Sequence, residues 1–148
     1  MQYTADTPNK RDATVNRSLS ASLQRRSPSP QRRGQRANAI DLTTRHAVQA
    51  FLDQAARLYA IEQAVLFGSR ARQDHRADSD ADVALTLRGP HGPFLDTKLA
   101  LADIAYDVLL ETGILVQPLP LWRDDWEHPE TTSNPALLAE ITRDGIPL

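Results

Sequence analysis

The chain has 148 residues, 41% of them apolar, and a formal net charge of −2, which is an ordinary composition for one soluble domain. It contains no cysteine, which excludes disulfides, thiolate zinc sites and a cysteine nucleophile. No apolar run is long enough to span a bilayer, so we expect no membrane partner. The absence of cysteine fits a reducing cytoplasm, where we expect the protein.

Charge divides the chain into two parts. The first 36 residues carry eight Lys/Arg and two Asp, whereas the remainder carries nine Lys/Arg and 17 Asp/Glu. The first part is also rich in Ser, Gln and Pro and poor in large apolar side chains. We therefore predict a disordered basic tail at residues 1–38 and a folded domain at 39–148. We interpret the tail as a solvated segment, or as the result of a start codon assigned too early. The alternative is an arm for nucleic-acid binding or targeting.

Apolar periodicity predicts the elements of the domain in chain order. Helices are expected at 40–59, 94–111 and 135–143, with a short helical start at 70–73, and strands at 64–67, 82–87 and 114–121. Pro118 and Pro120 cannot donate to a ladder, so the last strand should lie at an edge of the sheet. The order is α-β-α-β-α-β-α, which describes a small α/β (α+β) domain.

The helix at 94–111 has the clearest apolar pattern. Its predicted core face is made of apolar residues at three- and four-residue spacing: Leu95, Leu99, Ala102, Ala105, Val108 and Leu109, with Ile104 beside them. Its acidic residues share another side: Asp96, Asp103, Asp107 and Glu111. We interpret the acidic side as a solvated face, with a partner-binding face as the alternative.

The candidate site is a Gly-Ser turn followed by two aspartates. Gly68-Ser69 ends the first predicted strand, and ten residues separate it from Asp80, which with Asp82 opens the second. Side chains two apart in a strand point to the same face, so the two carboxylates should lie together. Such a pair favours a cation, and Mg²⁺ takes oxygen ligands from carboxylates and substrate phosphates.

This combination is typical of metal-dependent nucleotidyl transfer, in which positioning and charge neutralisation replace a covalent nucleophile. Ser69 would then contact phosphate. No Gly-x-Ser-x-Gly elbow surrounds it, which argues against a serine hydrolase. No Gly-Lys-Ser/Thr motif is present either, so the turn is not a P-loop.

The motif resembles that of the minimal nucleotidyltransferase family, within the polymerase-β-like superfamily. The resemblance is carried by Phe67-Gly68-Ser69-Arg70-Ala71-Arg72, by Arg76 and by Ser79-Asp80-Ala81-Asp82-Val83. It implies a small mixed sheet with helices packed mainly on one side, Mg²⁺ and a nucleoside triphosphate, expected to be ATP. It also implies that Gly68, Ser69, Arg70 and Arg72 bind nucleotide and that Asp80 and Asp82 are the catalytic metal ligands.

Small members of that family act as antitoxins with a HEPN-domain toxin, and some transfer AMP to a hydroxyl of the toxin. The resemblance therefore implies an antitoxin of a toxin–antitoxin pair with a HEPN-type partner. We expect no nucleic-acid partner, because the domain itself is net acidic. Transfer to a small molecule such as an antibiotic is a weaker alternative, since the domain has no room for a second substrate domain.

One departure from the family pattern concerns the third predicted strand. Active members usually carry a third carboxylate there, and Gln117 stands at that place. Its amide oxygen can still ligate Mg²⁺, but an amide supplies neither negative charge nor a base. The sequence thus leaves two alternatives: an active enzyme with a two-carboxylate site, or a catalytically impaired module that binds nucleotide or neutralises its partner by contact.

Overall fold

The computed structural model describes residues 39–148. The predicted tail at 1–38 lies outside these residues. The described part contains five α-helices: α1 (Leu42–Ala55), α2 (Gly68–Arg72), α3 (Phe94–Thr112), α4 (Arg123–Glu127) and α5 (Pro135–Asp144). It also contains four strands: β1 (Ile61–Phe67), β2 (Ala81–Leu87), β3 (Val116–Trp122) and β4 (Ile146–Pro147).

The strands form one mixed sheet in the order β3-β2-β1-β4. β2 is antiparallel to β1 and parallel to β3, and β4 is antiparallel to β1. β3 lies at an edge, as its two prolines predicted. The pairing aligns Asp82 of β2 with Phe67 at the end of β1 and with Gln117 near the start of β3. One end of the sheet therefore gathers the predicted site residues of three strands.

Local sequence signals explain where the main helices begin and end. Asp41 caps α1 by accepting a hydrogen bond from the Thr44 backbone N–H at 2.9 Å. Asn134 caps α5 in the same way, and Pro135 occupies its first turn, where a missing N–H costs nothing. Gly113 ends α3 with φ of 80°, a left-handed conformation that glycine adopts without steric cost.

Helices cover both faces of the sheet unequally. One face carries the larger apolar core, in which buried side chains of α1 and α3 pack on residues such as Leu66, Val83 and Leu85. The other face carries a smaller cluster where Leu138 and Ile141 of α5 contact the sheet. The predicted α/β class, with helices mainly on one side, is confirmed, and the architecture is consistent with the polymerase-β-like fold expected from the motif.

The structure corrects several predicted element bounds. The first strand begins at Ile61 rather than at 64, and α1 ends at Ala55 rather than at 59. The predicted order lacked α4, a 3-10 turn at Pro129–Thr131 and the short strand β4. These elements are short and are stabilised by contacts distant in sequence, such as the pairing of Ile146 with Leu66, so local periodicity carries no signal for them.

The predicted core face of α3 was partly wrong. Ile104, Ala105 and Val108 are buried as expected, together with Thr97 and Leu101. The other predicted positions are not in the core: Leu95 and Leu99 are exposed, Ala102 is exposed and Leu109 is half-buried. The helix carries apolar residues on two sides, and the periodicity did not distinguish the side that packs on the sheet.

Within residues 39–148, no helix is both long and apolar enough to cross a membrane.

Candidate active site

The site lies where β1 ends, at the face of the sheet that α5 covers. Asp82 alternates in step with Ala84, which belongs to the smaller apolar cluster on that face. Asp80 immediately precedes β2, and α2 starts at Gly68 directly after β1. The structure therefore brings together the Gly-Ser turn and the two aspartates, as the sequence predicted from their spacing.

Gly68 is in direct contact with the carboxylate of Asp82. Its φ is 71°, in the left-handed region, and a Cβ at this position would overlap Oδ2 of Asp82 and lie 3.2 Å from its Cγ. Only glycine therefore satisfies both the turn and the close approach. A group bound by the Asp82 carboxylate would therefore also contact the backbone of the turn.

Asp82 is half-buried, and its surroundings make its negative charge unfavourable. Burial raises the pKa of this carboxyl above its usual value. The neighbouring charges of Asp80 and Glu140 raise the pKa further, whereas Arg72 opposes them. A half-buried carboxylate with two acidic neighbours and one basic neighbour would be stabilised by an added cation.

Gln117 lies beside both aspartates. Its Cα pairs with that of Asp82, and its Nε2 donates a hydrogen bond of 2.7 Å to Oδ2 of Asp80. The sequence offers the amide oxygen as an additional metal ligand, but the amide nitrogen is the group that faces the Asp80 carboxylate. Gln117 thus occupies the predicted place on β3 and orients Asp80, while it contributes no negative charge.

The donors present fit a hard divalent cation with incomplete protein ligation. In the described part of the chain, no group of three or more His, Cys, Asp or Glu side chains could hold a metal ion. Asp80 and Asp82 remain as two carboxylates on one surface. Mg²⁺ commonly binds through one or two carboxylates, with its other ligands from water and substrate phosphates. The site is therefore suited to a cation that arrives with a phosphate-bearing substrate.

Arg72 lies next to the site on the exposed side of α2. Its side chain is 41% exposed and pairs with Asp74 at 3.3 Å and with Glu140 of α5 at 3.0 Å. Sequence reasoning named Arg72 but missed Glu140, because 68 residues separate the two and no motif links them. The pair joins α2 to α5 and places one positive and one negative charge within electrostatic reach of Asp82.

Arg70 has a different environment from the one expected of a nucleotide-binding residue. It is 3% exposed, and its guanidinium donates hydrogen bonds to the carbonyl oxygens of Ser79 and Ala77 and to Oγ1 of Thr44. A guanidinium with these three bonds is directed into the protein. Its bonds hold the segment that leads into Asp80, so its geometry is that of a residue that positions the site.

A hydrogen-bonded chain extends from Arg70 to the start of α1. Thr44 Oγ1 accepts from Arg70 at 2.7 Å and donates to Asp41 at 2.7 Å. Burial opposes the charge of Asp41, but hydrogen bonds from Thr44 and Thr43 lower the pKa of its carboxyl to about 2. His75 lies 3.4 Å from the same carboxylate.

The comparison with known families agrees with this geometry. Residues 50–119 match the family model described as "Polymerase beta, Nucleotidyltransferase". The matched segment runs from α1 into β3 and includes the Gly-Ser turn, both aspartates and Gln117, whereas Asp41, Thr44 and Glu140 lie outside it. No curated protein matches the chain. The fold, the site and the family match together support a polymerase-β-like nucleotidyltransferase domain, and hence a function in nucleotidyl transfer with a nucleoside triphosphate as substrate.

Proposed function

We propose that the protein transfers AMP from ATP to a hydroxyl group of a protein, with Asp80 and Asp82 as the ligands of Mg²⁺. The observation that carries this proposal is the contact between Gly68 and the Asp82 carboxylate. It couples a main-chain turn, suited to phosphate, to an acidic pair whose negative charge is only partly offset by Arg72. Mg²⁺, when bound, neutralises the triphosphate and lowers the pKa of the attacking hydroxyl.

The residues of the chain have separate roles in this reaction. The acceptor oxygen forms a bond to the α-phosphorus of ATP as the bond from that phosphorus to the bridging oxygen breaks. Pyrophosphate leaves with the electron pair of the broken bond, and the proton of the acceptor hydroxyl passes to solvent. Asp80 and Asp82 hold the cation, and Gly68 and Ser69 present the turn to the triphosphate. Arg72 exchanges its partner Glu140 for phosphate, which its exposure permits. Arg70 contributes indirectly, because it fixes the segment that leads into Asp80.

We further propose that the acceptor is a HEPN-type toxin and that this protein is the antitoxin of the pair, within the minimal nucleotidyltransferase family. The support is the motif at 67–83 and the size of the domain, which we assign to residues 39–148. Residues 39–148 form one small domain, which favours an acceptor that contributes a binding surface of its own. The tail at 1–38 stays assigned as a basic segment outside the domain, and the protein as cytoplasmic.

A second function is favoured by Gln117. This residue places a neutral amide, bonded to Asp80, where a third carboxylate would complete the site. With only two carboxylates, the domain would bind nucleotide or its partner without transferring a nucleotidyl group. In this alternative, the protein neutralises the toxin by contact.

A labelling experiment tests both functions. The full-length protein is incubated with α-labelled ATP, Mg²⁺ and the purified product of the adjacent gene, and label on that product is measured. We expect label with the wild-type protein and with Asp78→Asn, an exposed control two residues from the site. Label should be absent with Asp80→Asn and with Asp82→Asn.

The outcomes separate the alternatives. Label that persists in both site variants would refute the assignment of Asp80 and Asp82. Neutralisation of the partner without label, at equal strength in wild type and both variants, would refute transfer and support the contact mechanism.

A further inference from the structure

The outer side of α3 carries apolar side chains that the fold leaves uncovered. Leu95 is 64% exposed, Leu99 56%, Tyr106 58% and Leu110 69%. With the exposed Ala102 between them, they form what we call the outer stripe: Leu95, Leu99, Ala102, Tyr106 and Leu110. The core contacts of α3 come from its opposite side, so the outer stripe contributes nothing to packing on the sheet.

The outer stripe has the geometry of a helix-packing seam. Its members follow one another at spacings of four, three, four and four residues. At about 100° per residue they fall within an arc of roughly 80°. This arrangement is close to the a/d pattern by which two helices pack along their length. Isolated exposed apolar residues need no explanation, but a contiguous row along a helix marks an interaction surface.

Charge indicates what kind of helix the stripe fits. Acidic residues border one side of it: Asp96, Asp103, Asp107 and Glu111. The only basic residue of α3 is Lys98, whose Nζ lies 5.7 Å above the ring centroid of Phe94. A ligand helix therefore meets an apolar row with a negative edge, and a row of Lys or Arg beside its own apolar residues would complement that edge.

We propose that the outer stripe binds an amphipathic helix of a protein partner, with apolar residues at heptad spacing and basic residues along the edge that meets Asp103, Asp107 and Glu111. A second copy of this chain fits poorly, because its α3 would bring four further acidic residues and one Lys. The stripe is on the side of the sheet opposite Asp82, so the proposal does not depend on the catalytic function.

A designed peptide tests the proposal on the full-length protein. The probe is a fluorescein-labelled three-heptad helix with Leu at a and d and Lys at e and g, and the control peptide has Glu in place of Lys. Fluorescence anisotropy should show binding of the basic peptide and about tenfold weaker binding of the acidic one. Binding should weaken as the salt concentration rises.

Protein variants separate the stripe from general charge attraction. Leu99→Ser combined with Tyr106→Ser keeps the net charge and should weaken binding of the basic peptide about tenfold. Leu42→Ser, an exposed apolar position at the start of α1, is the control and should leave the affinity unchanged. Asp103→Asn with Asp107→Asn should weaken binding severalfold. Equal affinity of the two peptides, or no effect of the stripe variants, would overturn the proposal.

Other occupants of the stripe give different results, and each would contradict a partner helix. A concentration-dependent dimer in sedimentation equilibrium that Leu99→Ser with Tyr106→Ser dissociates would identify a second copy. Tighter peptide binding after Arg25, Arg26, Arg32 and Arg33 are all changed to Gln would identify competition by the chain's own basic segment. If the stripe binds a partner helix, the protein should be monomeric and the arginine changes should leave the affinity for the peptide unchanged.

Discussion

Replacing Arg70 by Met tests whether this residue supports the site or binds substrate. The guanidinium is 3% exposed and makes three hydrogen bonds: 2.8 Å to Ser79 O, 2.7 Å to Thr44 Oγ1 and 3.1 Å to Ala77 O. Met retains much of the length and apolar contact of the side chain but none of its donors. The hydrogen bonds are therefore the main interactions removed.

The expected loss of stability follows from these contacts. A hydrogen bond to a charged group contributes about 1.5–3 kcal/mol. Two of the three acceptors are only partly buried and can turn to water, and removal of the buried charge recovers part of its desolvation penalty. We therefore expect Arg70→Met to lower the free energy of unfolding by about 2–4 kcal/mol.

Urea unfolding followed by tryptophan fluorescence measures this loss, and Arg72→Met on the same short helix is the matched control. Arg72 is 41% exposed in its two ion pairs, so its replacement should change the free energy of unfolding by less than about 1 kcal/mol. Arg72→Met should instead weaken the binding of ATP with Mg²⁺. An Arg70→Met protein that is as stable as wild type but fails to bind ATP would refute the positioning role.

Three further predictions concern the acidic pair and its neighbours. Because the folded-state pKa of Asp82 is raised, its ionisation costs stability at neutral pH. Asp82→Asn should therefore raise the melting temperature at pH 7 without metal, a gain that disappears as the pH falls below 3.8, the ordinary value of the group; no gain at pH 7 would contradict the shift. Gly68→Ala forces a Cβ against that carboxylate at positive φ, so ATP binding by calorimetry should fall at least about tenfold; near-normal affinity would refute the contact. Glu140→Gln releases Arg72 and removes a negative charge, so ATP should bind about two- to fivefold more tightly. Unchanged affinity would show that the ion pair does not compete with phosphate.

Much of the site was predictable because its parts are close in sequence and their chemistry is specific. Gly68 and Ser69 precede Asp80 and Asp82 by a short connection, and a two-residue spacing on a strand defines which side chains share a face. The family pattern, which places a third carboxylate on the third strand, also located Gln117 beside the pair. Alternation along a strand is rigid enough for such predictions to hold.

The remaining features depend on the tertiary structure. Arg70 and Arg72 are two residues apart on α2 and about 200° apart around it, and the sequence gives no reason to direct the first inward. Glu140 reaches the site from α5 only because that helix packs on the sheet face beside Asp82. α3 carries apolar residues on two sides, and either side fits the helical periodicity of a core face. Only the packed core shows which side contacts the sheet.

The central claim is that Asp80 and Asp82 together bind a divalent cation with ATP, and binding of Mn²⁺ with ATP, followed by electron paramagnetic resonance, tests it without an acceptor. We expect the full-length protein and the Asp78→Asn control to bind the Mn²⁺–ATP complex equally, and Asp80→Asn and Asp82→Asn to bind it at least about tenfold more weakly. Equal binding by all four proteins would contradict the account.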